Sequence, residues 1–125
     1  MNTDEHRLNA TTEAVVGAAF AIANFLGCGF LEKVCENALV HELRKRGFNA
    51  QPQFPITVLY DGVVVGEYVA DVLVDDLVIV ELKVVKAFDD IHTAQCINYL
   101  KATGKPVCLL LNFARPRIEY KRLRV

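Results

Sequence analysis

Two neighbouring stretches of the chain are almost entirely apolar, and they limit the folds that this sequence can adopt. Residues 68–74 and 77–85 are rich in Val, Ile and Leu, and the turn signal Asp75-Asp76 separates them. Strands whose apolar residues run on, rather than alternate with polar ones, are usually covered on both faces. The sequence therefore predicts a β-sheet with covering layers on both sides.

Helix signals occur in three parts of the chain. Thr11 and Thr12 precede an apolar-rich segment that ends at Gly27, which predicts a first helix with a C-terminal glycine. Residues 30–46 predict a second helix, and the stretch from residue 89 or 90 to residue 103 predicts a third. The predicted buried positions of the second helix are Leu31, Val34, Cys35, Ala38, Leu39 and Leu43. Those of the third are Ile91, Ala94, Ile97 and Leu100 or Lys101.

The remaining strand signals complete the order of elements. Asp61-Gly62 between β-prone residues is typical of a hairpin. Residues 107–111 predict a further buried strand, and residues 118–123 predict an edge strand. The predicted order is α-α-β-β-β-α-β-β in one domain, residues 1–125. A mixed central sheet of the α/β or α+β class follows, in which strand 107–111 returns by a helical crossover.

Composition agrees with a folded domain. Of 125 residues, 53% are apolar and 23% charged, which is enough for a core. The longest apolar stretch, residues 14–26, is too short for a membrane span, and residues 1–13 contain no apolar segment of a signal peptide. We therefore expect a cytoplasmic protein without a membrane partner. The four cysteines form no CxxC pair and are expected to be structural thiols: Cys28, Cys35, Cys96 and Cys108.

Charge is unevenly distributed along the chain. Residues 1–100 contain seven Lys and Arg residues against fourteen Asp and Glu residues, whereas residues 101–125 contain seven against one. The cations near the C-terminus are Lys101, Lys105, Arg115, Arg117, Lys121, Arg122 and Arg124. They indicate either a solvated basic tail or a surface that neutralises nucleic-acid phosphates.

Three charged residues interrupt the apolar strands, namely Asp71, Glu81 and Lys83. Burying a charge without a partner costs several kcal/mol, so their presence needs a reason. Glu81 and Lys83 are two residues apart on one strand and leave the same face. The trio is either a structural ion-pair network or a functional site.

Two further polar pairs have helical i, i+4 spacing: Glu32 with Glu36, and Gln95 with Tyr99. Either pair alone is compatible with ordinary exposed surface. Combined with the charged strand residues, however, they form a pattern of acids, a lysine and an amide.

This pattern resembles the PD-(D/E)xK nuclease superfamily, which has a restriction-endonuclease-like fold. The superfamily has an acid on one strand and Glu-x-Lys on the next, here Asp71 and Glu81-Leu82-Lys83. The segment Gln95-Cys-Ile-Asn-Tyr99 is similar to the Gln-x-x-x-Tyr motif of its RecB-like branch. Residues 29–35, GFLEKVC, are similar to the naming motif of the small GxxExxY family, with Cys35 where that family has tyrosine.

The resemblance implies a nuclease that hydrolyses phosphodiester bonds of DNA or RNA with Mg²⁺ or Mn²⁺. Asp71 and Glu81 would offer oxygen ligands to the metal, and Glu32 would bind it through water or complete a second site. Lys83 would orient the attacking water or stabilise charge on the phosphate. Gln95 would position the carboxylates or a phosphate. The alternative is a non-catalytic nucleic-acid- or protein-binding module that keeps the nuclease fold.

Strand register sets a condition on this site. A regular turn of two or four residues around Asp75-Asp76 would pair Asp71 with Val80 and place Asp71 and Glu81 on opposite faces. The site therefore requires an odd-length turn, a bulge or a bent strand near residues 70–72. Enzymes of this fold often dimerise, and the predicted edge strand 118–123 offers a route to a homodimer.

Overall fold

A computed structural model describes residues 3–27 and 29–125, and in these residues three helices cover a five-stranded sheet. The helices are α1 (Thr3–Leu26), α2 (Glu32–Lys45) and α3 (Asp90–Thr103). The strands are β1 (Ala50–Tyr60), β2 (Val63–Val74), β3 (Val78–Lys83), β4 (Val107–Asn112) and β5 (Glu119–Leu123). The predicted order of elements is confirmed. None of the described helices combines the length and the apolar character needed to cross a membrane.

The sheet is mixed, with the strands in their sequence order from β1 to β5. Of the five described strands, only β3 and β4 pair in parallel, and α3 forms the crossover between them. This confirms the predicted α+β class. Two apolar cores result, because α1 and α2 cover one face and α3 covers the other. Val80 and Leu82 contribute to the core on the α1/α2 side, and Ile79 and Leu110 to the core on the α3 side.

Helix α1 begins well before the predicted start at Thr11. Thr11 and Thr12 lie buried inside the helix, where their hydroxyls donate to the carbonyls of Arg7 and Asn9. These bonds satisfy both hydroxyls without a helix cap, so a signal typical of a helix start was misleading here. Leu8, which is buried in the core, extends the helix contact towards the N-terminus.

The predicted buried stripe of α3 is wrong at its N-terminal half. Ile91 is 73% exposed, whereas Cys96, Tyr99 and Leu100 face the sheet. Apolar residues occur around the whole helix, so periodicity alone could not select the buried face. Leu31 just before α2 and Val34 in its first turn are likewise exposed, although both were predicted to be buried.

Helix α3 begins and ends close to the predicted bounds, residues 89–103. The carboxylate of Asp89 accepts from the backbone N–H of Ile91, and Nδ1 of His92 accepts from the N–H of Asp89. Gly104 ends the helix with a φ of 72°. His92 is therefore part of a helix cap and has a structural role.

The three described cysteines, Cys35, Cys96 and Cys108, are buried free thiols, as predicted. Cys28 lies outside the described residues. A buried, reduced thiol behaves as a small apolar side chain.

The core beneath α2 provides a stability test of the fold. Leu39 is fully buried, and Leu39→Ala is expected to lower the free energy of unfolding by about 3 kcal/mol because it leaves a cavity. Leu31 is 77% exposed, so Leu31→Ala should change it by less than about 0.5 kcal/mol. Urea unfolding of both variants measures the difference. Equal losses in the two variants would contradict the placement of α2.

Candidate active site

The turn between β2 and β3 has an odd length. Val74 pairs with Val78, so the turn contains three residues, 75–77. Continuing this register beyond Val72 and Val80 places Asp71 opposite Glu81. The two acids therefore share the end of one strand pair, and the condition derived from the sequence is met.

A kink in β1 and β2 lies at the same position. Ala70 and Val72 are two residues apart, yet Ala70 packs in the core on the α3 side and Val72 in the core on the α1/α2 side. In a regular strand both would face the same side. On β1, Gln53 interrupts the pairing with β2 and has a φ of 54°, a left-handed conformation that costs about 1 kcal/mol for a residue other than glycine. The predicted bend near residues 70–72 is thus present as well.

The two carboxylates replace backbone pairing where β2 and β3 separate. Backbone pairing of these strands stops at Val72 and Val80. Beyond that point, the N–H of Asp71 donates to Oε1 of Glu81 at 2.9 Å, and the N–H of Leu82 donates to Oδ2 of Asp71 at 2.8 Å. Each acid thus binds the backbone of the neighbouring strand, which fixes both side chains relative to the sheet.

Burial perturbs the protonation of both acids. Glu81 is only 3% exposed, and burial followed by the charge of Asp71 raises the pKa of Glu81 to about 8. Burial likewise raises the pKa of Asp71, and the charges of Glu36 and Glu32 add to the effect. Two acids in contact with raised pKa values are typical of a functional site.

Lys83 lies close to both acids without pairing with them. Its charge lowers the pKa of Asp71 and of Glu81, although burial outweighs the effect. Among the ion pairs formed by residues 3–27 and 29–125, none involves Lys83. The structure therefore lacks the ion pair on which the structural-network hypothesis depends.

Helix α2 brings two more carboxylates towards Asp71. Glu32, the residue selected from the sequence, is exposed at the first turn of the helix. Glu36 is 4% exposed and accepts from Nζ of Lys33 at 2.7 Å and from Nε2 of Gln53 at 2.9 Å. Both oxygens of Glu36 are therefore occupied, whereas Glu32 faces solvent and is free to approach a ligand.

Helix α3 adds Gln95 and Tyr99 on the other side of the sheet. Nε2 of Gln95 donates to the hydroxyl of Tyr99 at 3.0 Å, so Gln95 contacts Tyr99 rather than a carboxylate. Burial, followed by the charge of Glu81, raises the pKa of Tyr99 to about 12. Tyr99 therefore stays protonated and lies close enough to sense the charge of Glu81.

Comparison with known proteins agrees with this geometry. The family model of the PD-(D/E)XK nuclease superfamily matches residues 9–123, nearly the whole chain. The chain belongs to the PD-(D/E)XK nuclease superfamily. No curated protein and no solved structure matches it.

The acids of this superfamily member suit a divalent cation. In the described part of the chain, no three Asp, Glu, His or Cys side chains already form a metal centre. Asp71 and Glu81 nevertheless each use one oxygen to accept from the backbone, which leaves the second oxygen of each for a ligand. Carboxylate oxygens are the ligands that Mg²⁺ and Mn²⁺ prefer, and a cation would favour the charged forms of both acids. The donor set therefore fits such an ion.

The structure does not bring the seven C-terminal cations together. Lys105 pairs with Asp76 at the turn between β2 and β3, whereas Arg115 donates to the carbonyl of Lys86 near the opposite end of β3. Three others lie along β5 and after it, where Lys121 stacks over Phe88, Arg122 donates to Asn9, and Arg124 pairs with Glu5. The cations thus occupy both ends of the sheet, and several of them already have partners.

A groove of about 810 Å³ lies between the β1–β2 hairpin and α3. Tyr68 and Tyr99 line it with ring centroids 6.0 Å apart, and Gln95, Asn98 and Lys101 contribute polar groups. Tyr99 and Gln95 line this groove, and Tyr99 lies close enough to Glu81 for its pKa to respond to that carboxylate. The groove therefore adjoins the two acids. Lys101 is the C-terminal cation that lines it.

Proposed function

We propose that the protein is a divalent-metal-dependent nuclease that hydrolyses phosphodiester bonds of DNA or RNA. The observation that carries the proposal is the pair of hydrogen bonds through which Asp71 and Glu81 each bind the other strand. Together with Lys83 they complete the acid and Glu-x-Lys pattern in a member of this superfamily.

Asp71 and Glu81, with Glu32 through water or at a second position, would hold Mg²⁺ or Mn²⁺. Such an ion stabilises charge on a phosphate oxygen and makes water a better nucleophile near neutral pH. Lys83 leaves β3 on the same face as Glu81, two residues later. Its ammonium group can hold the attacking water or stabilise the negative charge that grows on the phosphate.

Gln95 has an indirect role in this proposal. It holds the hydroxyl of Tyr99, and Tyr99 lies close enough to Glu81 for its pKa to respond to that carboxylate. Gln95 and Tyr99 therefore support the α3 side of the site.

The nucleic acid would extend from the acids into the adjoining groove, where Lys101 is available for a phosphate. The other predicted phosphate contacts are Lys105, Arg115, Arg117, Lys121, Arg122 and Arg124.

Calorimetric titration with Mn²⁺ tests the proposal directly. Wild type should bind Mn²⁺ and cleave single- or double-stranded DNA or RNA in the same buffer. Asp71→Asn should weaken Mn²⁺ binding by at least about tenfold, because it removes a charged ligand. Glu67→Gln provides the matched control, since Glu67 is an exposed carboxylate on the same strand. It should leave both binding and cleavage unchanged.

A folded wild type that neither binds Mn²⁺ nor cleaves would contradict the proposal. Salt-sensitive binding of nucleic acid that Asp71→Asn leaves unchanged would instead support the non-catalytic binding module.

Several other features remain predictions. These are the single domain over residues 1–125, the cytoplasmic location, the link to the GxxExxY family and a homodimer. In the part of the chain that the structure describes, strand β5 lies at an edge of the sheet, the position from which it could pair with a second copy.

A further inference from the structure

The kink in β1 and β2 has a side-chain anchor on α2. Gln53 has a φ of 54°, a conformation that residues with a side chain rarely adopt, and it interrupts the pairing of β1 with β2 beside Asp71. Its side-chain amide donates to Oε1 of Glu36. A surrounding structure has to hold such a conformation in place, and Glu36 is in contact with it.

Glu36 is built into the fold as an acceptor. Its side chain is buried, and a buried carboxylate is tolerated only when hydrogen bonds replace water. Gln53 occupies one oxygen, and Lys33 occupies the other through an ammonium group that itself remains exposed. With both oxygens committed, Glu36 is suited to holding the chain and not to binding a ligand.

The kink in turn determines what Asp71 can reach. Residues of β2 change sides of the sheet between Ala70 and Val72. This change of side occurs where β2 leaves β3, so the N–H of Asp71 can donate to Glu81 and its carboxylate can accept from Leu82. A regular β2 would continue to pair with β3 through its backbone and would not need these carboxylate bonds.

We propose that Glu36 and Gln53 are positioning residues, which hold the kink that brings the Asp71 carboxylate to β3. The expected effect on cleavage rests on the proposed nuclease function, whereas the expected effect on the position of Asp71 does not. Glu36 thus has a role different from that of Glu32, the other acid of the i, i+4 pair.

Hydrogen exchange of two backbone amides measures positioning without any activity. In Glu36→Ala, the amides of Asp71 and Leu82 should exchange about tenfold faster, the effect of losing roughly one hydrogen bond. The amides of Cys108 and Leu110 in β4 should be unchanged, which shows that the protein is folded. Glu36→Gln should restore slow exchange, because its amide oxygen can still accept from Gln53.

Two further variants complete the design. Gln53→Gly keeps a residue that accepts positive φ but removes the bond to Glu36, so it should also accelerate exchange of the Asp71 and Leu82 amides. If Glu36→Ala does not fold, Gln53→Gly alone tests whether the contact between Glu36 and Gln53 holds the kink. The matched controls are Gln51→Gly on β1 and Glu42→Gln on α2. In both variants the amides of Asp71 and Leu82 should exchange at the wild-type rate.

Activity provides a second readout. Glu36→Ala should lower kcat by about tenfold and change KM by less than about threefold, and Glu36→Gln should recover most of the loss. Wild-type exchange rates at Asp71 and Leu82 in both Glu36→Ala and Gln53→Gly would overturn the proposal. If wild type does not bind Mn²⁺ or cleave, the nuclease function fails, and the exchange rates alone decide the positioning role.

Discussion

Glu81→Gln is expected to abolish cleavage and, at alkaline pH, to make the metal-free protein more stable than wild type. The glutamine oxygen can still accept from the N–H of Asp71, so the strand contact is kept. The negative charge is lost, and with it a ligand for the cation. We expect cleavage to fall by about 1,000-fold, the upper end of the loss that follows removal of one group that stabilises transition-state charge.

The gain in stability follows from the direction of the pKa shift. Glu81 has a pKa of about 8 in the folded protein, against an ordinary value of 4.5. The folded state therefore holds this proton more tightly than the unfolded state does. The contribution of Glu81 to the stability of the folded protein is fully present below about pH 4.5 and is lost as pH rises through about 8. At pH 8.5 wild type must bury a charge that the glutamine variant lacks, a difference on the order of 5 kcal/mol.

Urea unfolding in EDTA at pH 4.5 and pH 8.5 measures this effect. Wild type and Glu81→Gln should have similar free energies of unfolding at the lower pH and diverge at the higher one. Glu67→Gln, which removes an exposed carboxylate, should follow wild type at both. Added Mn²⁺ should stabilise wild type but not Glu81→Gln. If the free energies of unfolding of wild type and Glu81→Gln differ by the same amount at both pH values, then the folded wild type does not bury a charged Glu81 at pH 8.5.

The order of elements and the acids of the site could be predicted because they depend on local patterns. Continuous apolar strands, the turn signals between them and the spacing from Glu81 to Lys83 are all readable within a few residues of each other. Even the condition on the turn at Asp75 followed from the two-residue period of a strand. These features need no knowledge of which element packs against which.

The positions of Gln53 and Glu36 could not be predicted in the same way. Nothing in the sequence around Gln53 indicates a positive φ, because glycine or asparagine is the usual signal for that conformation. The conformation depends on a contact with Glu36, 17 residues earlier in the chain. For α3, similarly, the buried face is decided by the sheet beneath it, and apolar residues on several sides gave the sequence no means of selecting Tyr99 over Ile91.

Lys83→Met separates a catalytic lysine from a structural one. Among residues 3–27 and 29–125 Lys83 has no ion-pair partner, so its removal leaves no buried charge without a counterion. Methionine has a flexible stem of similar length and fills the partly buried position at the end of β3. The free energy of unfolding should therefore change by less than about 0.5 kcal/mol.

Cleavage should respond very differently from stability. If the ammonium group stabilises charge on the phosphate or holds the attacking water, Lys83→Met should lower kcat by about 100- to 1,000-fold. Mn²⁺ affinity, measured at pH 8.5, should stay within about threefold, because the carboxylate ligands remain. Lys86→Met is the matched control, since Lys86 is exposed three residues further along, and it should cleave as wild type does.

The combination of results decides the role of Lys83. Lost cleavage with unchanged stability and unchanged Mn²⁺ binding identifies a group that acts on the substrate, because nothing else in the site has changed. Retained cleavage with a stability loss above about 2 kcal/mol would instead indicate a structural charge, as breaking a buried pair does. Lys83→Arg refines the result: a guanidinium keeps the charge but changes its shape and hydrogen bonding, so partial activity would show that position matters as well as charge.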